Sequence, residues 1–325
     1  MPTMTRRSVV LSAAAAGIAF GLSKYVEIIP PAFAQDSGSP LNPKGQKFFK
    51  FKVGDIEVTQ VFDGLVARDH DPGFVKNASL DDLKASMKAA KLPDEKLLIP
   101  FTITVVKIGE RTIMFDSGNG TGGAPGTGKL AENLKEAGID PAKLSTIVVT
   151  HFHPDHIFGL MTKENGQIYA GTEIIVPESE YKFWTDPALI AKLPEGRRGL
   201  AQRIQATMPT WKNIKQATAG KEVVPGVHAV LTPGHTPGHT SFLMASGGKQ
   251  LFVLGDVTNL PAYNMINPGW HLVFDQDAPL AEKTRRETFD RAIAEKLICT
   301  GYHWGMPGAG TVAKDGNGYA LVPVA

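Results

Sequence analysis

Thr150-His151-Phe152-His153-Pro154-Asp155-His156 is the stretch that decides the fold, and it directly follows the apolar run Ile147-Val148-Val149. The run predicts a buried strand, and the end of a strand is where α/β enzymes place their chemistry. The stretch brings three imidazoles and a carboxylate together within six residues, a combination that suits zinc and similar divalent ions. The alternative interpretation is a solvated, His-rich turn that binds nothing.

Three further candidate ligands follow other apolar runs or turns. His235 lies in the segment 232–240, where two Pro-Gly turns hold the backbone tightly. Asp256 ends the apolar run 251–255, and His303 follows another predicted strand. The candidate metal ligands are therefore His151, His153, Asp155, His156, His235, Asp256 and His303.

The order of these elements resembles the metallo-β-lactamase superfamily: an HxHxDH motif, a histidine in TPGHTPGHT, the Asp of LGD and a late histidine. The resemblance extends from about Phe48 to the C-terminus. It implies an α/β fold, a four-layer αββα sandwich with the site at its rim. Within the superfamily the chain is similar to methyl parathion hydrolase and its lactonase-like relatives, on stretches such as 128–135 and the tail 318–324.

Seven ligands are too many for one tetrahedral ion, so the natural partition is two divalent ions that share Asp256. By resemblance, the ions take two groups of ligands: His151, His153 and His235, and Asp155, His156 and His303. Zinc is the expected metal, with Mn, Co or Fe as alternatives, because sites of this type accept several ions. A bridging hydroxide would be the nucleophile. Asp155 and Asp256 are the catalytic candidates for protonating the leaving group.

The resemblance implies hydrolysis of a small uncharged lactone or aryl ester. Hydrolysis of organophosphate triesters is the first alternative, but only Trp184 has an apparent counterpart in the aromatic pocket of methyl parathion hydrolases, and Leu200 stands for a second aromatic. We expect Trp184, Leu200 and His271 to line the substrate pocket. A β-lactamase is less favoured, because such enzymes normally have Cys or His at one second-site position. A metal-binding protein without turnover is the remaining alternative.

Two more residues are expected to support the ligands. Asp116, in Asp116-Ser117-Gly118, resembles the superfamily's DTG/DSG turn. It should orient the metal loop, because ligating histidines usually need a partner on the other ring nitrogen. His239, one turn beyond His235, should pack or support other residues instead of ligating. Elsewhere, Ser79 as N-cap predicts a helix over about 80–90, and an amphipathic helix is predicted over 281–296.

Residues 1–34 have the features of an export signal. The pair Arg6-Arg7, an Ala-rich apolar stretch and the cleavage site Ala32-Phe33-Ala34 resemble a twin-arginine signal. A membrane anchor is less favoured, because the apolar part is shorter than the ~20 residues of a spanning helix. The twin-arginine machinery is therefore an expected partner, and the expected location is periplasmic or secreted. Residues 35–47 predict a flexible leader, and residues 48–325 the hydrolase domain.

The charge balance limits the classes of partner. The chain carries a net charge of +2, and the signal contributes Arg6, Arg7 and Lys24 against Glu27, so the remainder is neutral. This balance predicts no nucleic-acid partner. The single cysteine, Cys299, cannot form an internal disulfide. A homodimer stays an open alternative, because relatives are often dimers although no apolar stripe demands one.

Overall fold

A computed structural model describes residues 40–193 and 195–324. The predicted signal peptide, 1–34, and the first part of the predicted leader lie outside the described residues. In the rest of the leader, Leu41 and Asn42 are buried, and the Leu41 carbonyl accepts a hydrogen bond from the Met306 amide. This part of the leader therefore packs on the domain.

The strands of the described residues form two seven-stranded sheets, and the chain completes the first sheet before it begins the second. The first sheet runs in sequence order from β1 to β7: Phe48–Val53, Ile56–Arg68, Leu97–Ile108, Arg111–Phe115, Thr146–Val148, Glu173–Pro177 and Ile214–Ala217. The second sheet contains β8 to β14: Glu222–Val224, Val227–Leu231, Thr240–Ser246, Lys249–Val253, Ile298–Thr300, Ala309–Asp315 and Gly318–Pro323. Pairing is parallel from β4 to β7 and between β11 and β12, and antiparallel elsewhere.

The α-helices of the described residues, α1 to α7, are Leu80–Ala89, Leu130–Glu136, Pro154–Ile157, Glu178–Thr185, Leu189–Lys192, Glu195–Thr207 and Ala278–Ala294. Helix α1 begins where predicted, because the Ser79 side chain accepts a hydrogen bond from the Asp82 amide. Helix α7 begins earlier than the predicted residue 281, because the Asp277 side chain accepts from the Leu280 amide. None of these described helices combines the length and the apolar character that a membrane crossing requires.

Side chains alternate along the strands and so separate an inner core from two outer ones. On β5, Val148 belongs to the core between the sheets, whereas Ile147 belongs to the core beneath the helices of the first sheet. On β11, Val253 faces the inner core, and Phe252 shares the outer core with Phe289 of α7. The layers are thus helix, sheet, sheet and helix, which confirms the predicted αββα sandwich.

Candidate metal centre

The histidine-rich motif follows β5 and leads into a one-turn helix. His153 is the N-cap of α3, and Pro154 stands at its start, where a fixed φ and a missing N–H suit the first turn. Asp155 and His156 therefore lie in that turn. The sequence thus bends sharply at the end of β5, and its ligand side chains converge instead of alternating as they would along a strand.

The loops that follow β5, β9, β11 and β12 bring all seven predicted ligands together. Within the described part of the chain, three groups of possible ligand atoms have all their members within 4.8 Å of one another. Two of them share no residue: His151, His153 and His235, and Asp155, His156 and His303. The third joins these two through His151, His156 and Asp256. The two groups without a shared residue are those that the resemblance implied. The His153 Nδ1 and His235 Nε2 atoms are 2.9 Å apart, so their lone pairs can reach a common point.

The Asp256 carboxylate lies between the two groups. Its Oδ2 is 3.3 Å from His235 Nε2 and 3.0 Å from His303 Nε2. Its Oδ1 is 3.4 Å from His156 Nε2. One carboxylate therefore faces ligands of both groups, as expected of a residue that two ions share.

Three buried atoms at this centre have no hydrogen-bond partner within the described chain: His151 Nε2, His156 Nε2 and Asp256 Oδ1. An unpaired buried polar atom costs about 1–3 kcal/mol, so three in one place call for a ligand. Imidazole nitrogen and carboxylate oxygen are donors that zinc and similar ions prefer. The residues present therefore fit a pair of divalent ions.

Burial sets the protonation of the first group. Burial, assisted by the neighbouring His235, lowers the pKa of His153 to about 3. Burial also lowers the pKa of His151 well below its ordinary value. Both imidazoles are therefore neutral at neutral pH, which is the form that binds metal.

In the second group, burial raises the pKa of Asp155, but the neighbouring His156 and His303 have the larger opposite effect and lower this pKa to about 2.

Asp116 orients the histidine-rich motif through hydrogen bonds, which is the role that we expected for it. Its Oδ2 accepts a hydrogen bond from His156 Nδ1 at 2.8 Å and from Thr150 Oγ1 at 2.9 Å, and its Oδ1 accepts from the Thr150 amide. Thr150 Oγ1 is in turn 3.0 Å from His151 Nδ1. Asp116 thereby turns His156 Nε2 towards the centre.

A buried ion pair supports His235, and its two residues were missed in the sequence. Asp275 Oδ1 accepts from His235 Nδ1 at 2.9 Å, and Asp275 Oδ2 accepts from Arg285 Nη2 at 3.1 Å. Arg285 is 1% exposed, and Asp275 is 3% exposed. A signal for Arg285 did exist, because it lies four residues before Phe289 on the inner face of α7. Nothing in the sequence indicated its partner.

The remaining supports hold Asp256 and His303. His239 does not join either group of ligands, as predicted: its Nε2 accepts a hydrogen bond from the Asp256 amide at 2.9 Å, and its Nδ1 is 2.8 Å from Thr232 Oγ1. His303 Nδ1 donates to the Pro100 carbonyl at 2.8 Å. Both contacts fix a ligand through an atom that does not face the centre.

The three residues predicted for the substrate pocket occupy different environments. Trp184 is 3% exposed within the larger core, and its Nε1 donates to Glu180 Oε1. Leu200 is partly buried against the same core. His271 Nε2 lies 3.0 Å from Glu282 Oε2. Trp184 and Leu200 thus have packing roles in this structure, and the contact of all three with a substrate stays a prediction.

Residues 102–287, more than half of the chain, match the family described as the metallo-beta-lactamase superfamily. This chain belongs to the metallo-beta-lactamase superfamily. Among solved superfamily structures, the hydrolase AbOPH is 25% identical with a TM-score of 0.79, and the match covers 86% of this chain and 98% of AbOPH. AidC, described as a dizinc quorum-quenching lactonase, is 24% identical with a TM-score of 0.76 over 86% of this chain and 97% of AidC. The likeness to AidC shows the fold alone.

Curated relatives in the superfamily are similar over part of their length. An N-acyl homoserine lactonase of Bacillus sp is 28% identical over 179 residues, which cover 49% of this chain and 64% of that protein. The N-acyl homoserine lactonase AiiB of Agrobacterium fabrum is 24% identical over 216 residues, 60% of this chain and 70% of that protein. The chain therefore spans less than two thirds of the Bacillus relative.

Proposed function

We propose that this superfamily member is a two-metal hydrolase that opens the ring of a small uncharged lactone, with N-acyl homoserine lactones as the substrate class. The observation that carries the proposal is the pair of ligand groups with Asp256 between them, because three of the buried imidazole and carboxylate atoms there have no partner in the described chain. The substrate class is supported by the two curated relatives, both named N-acyl homoserine lactonases. Aryl esters, which present the same ester carbonyl, are the second substrate class.

The side chains of the centre would divide the work between binding and proton transfer. When bound, divalent ions act as Lewis acids on the ester carbonyl and make water a stronger acid. Asp116 accepts a hydrogen bond from His156 Nδ1, and Asp275 accepts one from His235 Nδ1. The Nε2 lone pairs of both histidines therefore face inwards. The Asp155 carboxylate has a pKa of about 2 and is ionised at neutral pH, and its side chain is 21% exposed. It would therefore take up the proton that the attacking water loses and pass it to the leaving alkoxide.

A substrate panel at defined metal content tests this proposal. Metal-free protein is loaded with two equivalents of zinc and assayed on N-hexanoyl homoserine lactone, p-nitrophenyl acetate and methyl parathion. We expect the lactone to have the highest kcat/KM, and His303→Ala to lower it strongly. His228→Ala is the matched control, because His228 is an exposed histidine on β9 and should leave activity unchanged.

Each other outcome assigns a different function. Faster turnover of the aryl ester would make the protein an esterase, and two tightly held ions with no turnover would make it a metal-binding protein. Fastest turnover of methyl parathion would make the protein a phosphotriesterase, unlike the two curated relatives, which are both named lactonases. Twin-arginine export to the periplasm and a homodimer stay separate predictions.

A further inference from the structure

Glu180 is a fully buried carboxylate outside the two ligand groups, in the first turn of α4. It is 0% exposed, yet four hydrogen-bond donors surround it. Its Oε1 accepts from the Phe152 amide at 3.0 Å and from Trp184 Nε1 at 2.7 Å. Its Oε2 accepts from Thr236 Oγ1 at 2.8 Å and from the Gly238 amide at 2.9 Å. A carboxylate can accept all four bonds, whereas a neutral carboxyl group has one acceptor too few.

Three of these donors come from the two loops that carry the first group of ligands, and the fourth, Trp184 Nε1, comes from α4 itself. Phe152 stands between His151 and His153, and Thr236 directly follows His235. One oxygen of Glu180 therefore holds the loop after β5, and the other holds the loop after β9. Hydrogen bonds to a charged group are stronger than those between neutral groups, so this is a strong connection between the loops.

The second loop also packs tightly against the helix that carries Glu180. A Cβ added at Gly238 would lie 2.1 Å from the Glu180 amide nitrogen, a distance that no side chain tolerates. The loop therefore rests directly on the first turn of α4. Only glycine allows this approach, and it leaves the loop little freedom to move relative to the carboxylate.

The second group of ligands is held by other contacts. Asp116 accepts from His156, and the Pro100 carbonyl accepts from His303. The Tyr302 hydroxyl donates to the Asp155 carbonyl at 2.5 Å. None of these three contacts involves Glu180, so a change at Glu180 should act on one group of ligands and spare the other.

We infer that Glu180 is a positioning residue that sets the distance between His235 and the pair His151 and His153, and with it the affinity for one of the two ions. The inference rests on the proposed two-ion centre and is independent of the substrate. A backbone hydrogen bond from the Thr240 amide to the Thr150 carbonyl also joins the two loops. Loss of Glu180 should therefore weaken binding of that ion without abolishing it.

Glu180→Gln is the sharpest variant, because it keeps the shape and exchanges one acceptor oxygen for an amino group. That group must face either the Phe152 amide or the Gly238 amide, and both are donors. Glu178→Gln is the matched control in the same turn, because Glu178 is at the surface and bonds to Lys182 and Thr218.

Zinc affinity, measured by competition with a chromophoric chelator, is the readout. We expect Glu180→Gln to raise one of the two dissociation constants by about 10-fold. This is the lower end of the effect of losing a direct partner of a ligand, because Glu180 bonds to residues beside the ligands. The other constant and both constants of Glu178→Gln should match those of the wild type. In a His303→Ala background, which retains the first group intact, adding Glu180→Gln should weaken the remaining ion by the same factor.

The results separate the inference from the proposed function. A folded Glu180→Gln protein with both constants unchanged, or both weakened equally, would overturn the inference alone. If this variant does not fold, Thr236→Val is the deciding variant, because it removes a single hydrogen-bond donor to Glu180. A several-fold increase in one of the two dissociation constants supports the inference, and two unchanged constants refute it. Wild-type protein that binds fewer than two ions would refute the two-ion centre itself.

Discussion

Replacing Asp275 by asparagine tests whether a buried ion pair holds a metal ligand in place. The carboxylate accepts from His235 on one oxygen and from Arg285 on the other. Asparagine has the same size but only one acceptor oxygen, so its amino group must face His235 or Arg285. Because Arg285 is 1% exposed, its charge would then stay buried without a counter-charge.

The substitution should lower both the free energy of unfolding and the affinity for the metal ion. Removing one partner of a buried ion pair costs about 3–5 kcal/mol of stability. We expect the lower end, about 3 kcal/mol, because Arg285 keeps its hydrogen bonds to the carbonyls of Val257 and Pro268. Losing the carboxylate partner of a ligating histidine weakens metal binding about 10–100-fold. That factor corresponds to about 1.4–2.7 kcal/mol.

Urea unfolding of the metal-free protein measures the first loss, and chelator competition measures the second. Asp277→Asn is the matched control two residues along, because Asp277 is an exposed N-cap and asparagine caps a helix equally well. Stability within about 0.5 kcal/mol of the wild type, with unchanged zinc affinity, would show that Asp275 does not hold His235.

Three further changes have defined outcomes. Asp256→Asn should lower the affinity for both ions, because Asp256 faces both groups of ligands, and it should lower kcat/KM for the lactone by about 100-fold or more. If a zinc titration of this variant still shows two tightly bound ions, Asp256 is not shared between them. Chelation should lower the melting temperature, since an ion at 100 times its dissociation constant contributes about 2.7 kcal/mol per site, and calorimetry with and without zinc checks this. Gly238→Ala should cost about 1–3 kcal/mol, because its Cβ meets the Glu180 backbone, whereas Gly171→Ala, with open space at its Cβ, should not unfold earlier in urea.

The residues that meet at the candidate centre were predictable because each lies beside a local sequence signal. The apolar run 147–149 predicted β5, and Pro154 marks the turn of helix that presents Asp155 and His156. The contact of Asp116 with His156 agrees with its predicted supporting role, because a ligating imidazole needs a partner for its other nitrogen. His239 also supports the centre as predicted, but through the backbone amide of Asp256.

The pairing between supports from distant elements could not be predicted. Arg285 comes from α7 and Asp275 from the loop before it, and only the packing of α7 against the second sheet brings them behind His235. Trp184 illustrates the opposite problem. A large aromatic in a helix fits a core or a pocket equally well by its sequence, and only the structure shows its indole N–H directed at Glu180.

The segregation of the two sheets along the chain has a consequence for biosynthesis. Strands β1 to β7 end at Ala217, and the opposite sheet begins at Glu222. A ribosome therefore releases one complete sheet while the inner face of that sheet, which includes Val58 and Val148, still has nothing to cover it. Exposed apolar surface of this kind favours aggregation. The nascent chain is therefore most prone to aggregate, and most in need of a chaperone, when about two thirds of it has been translated.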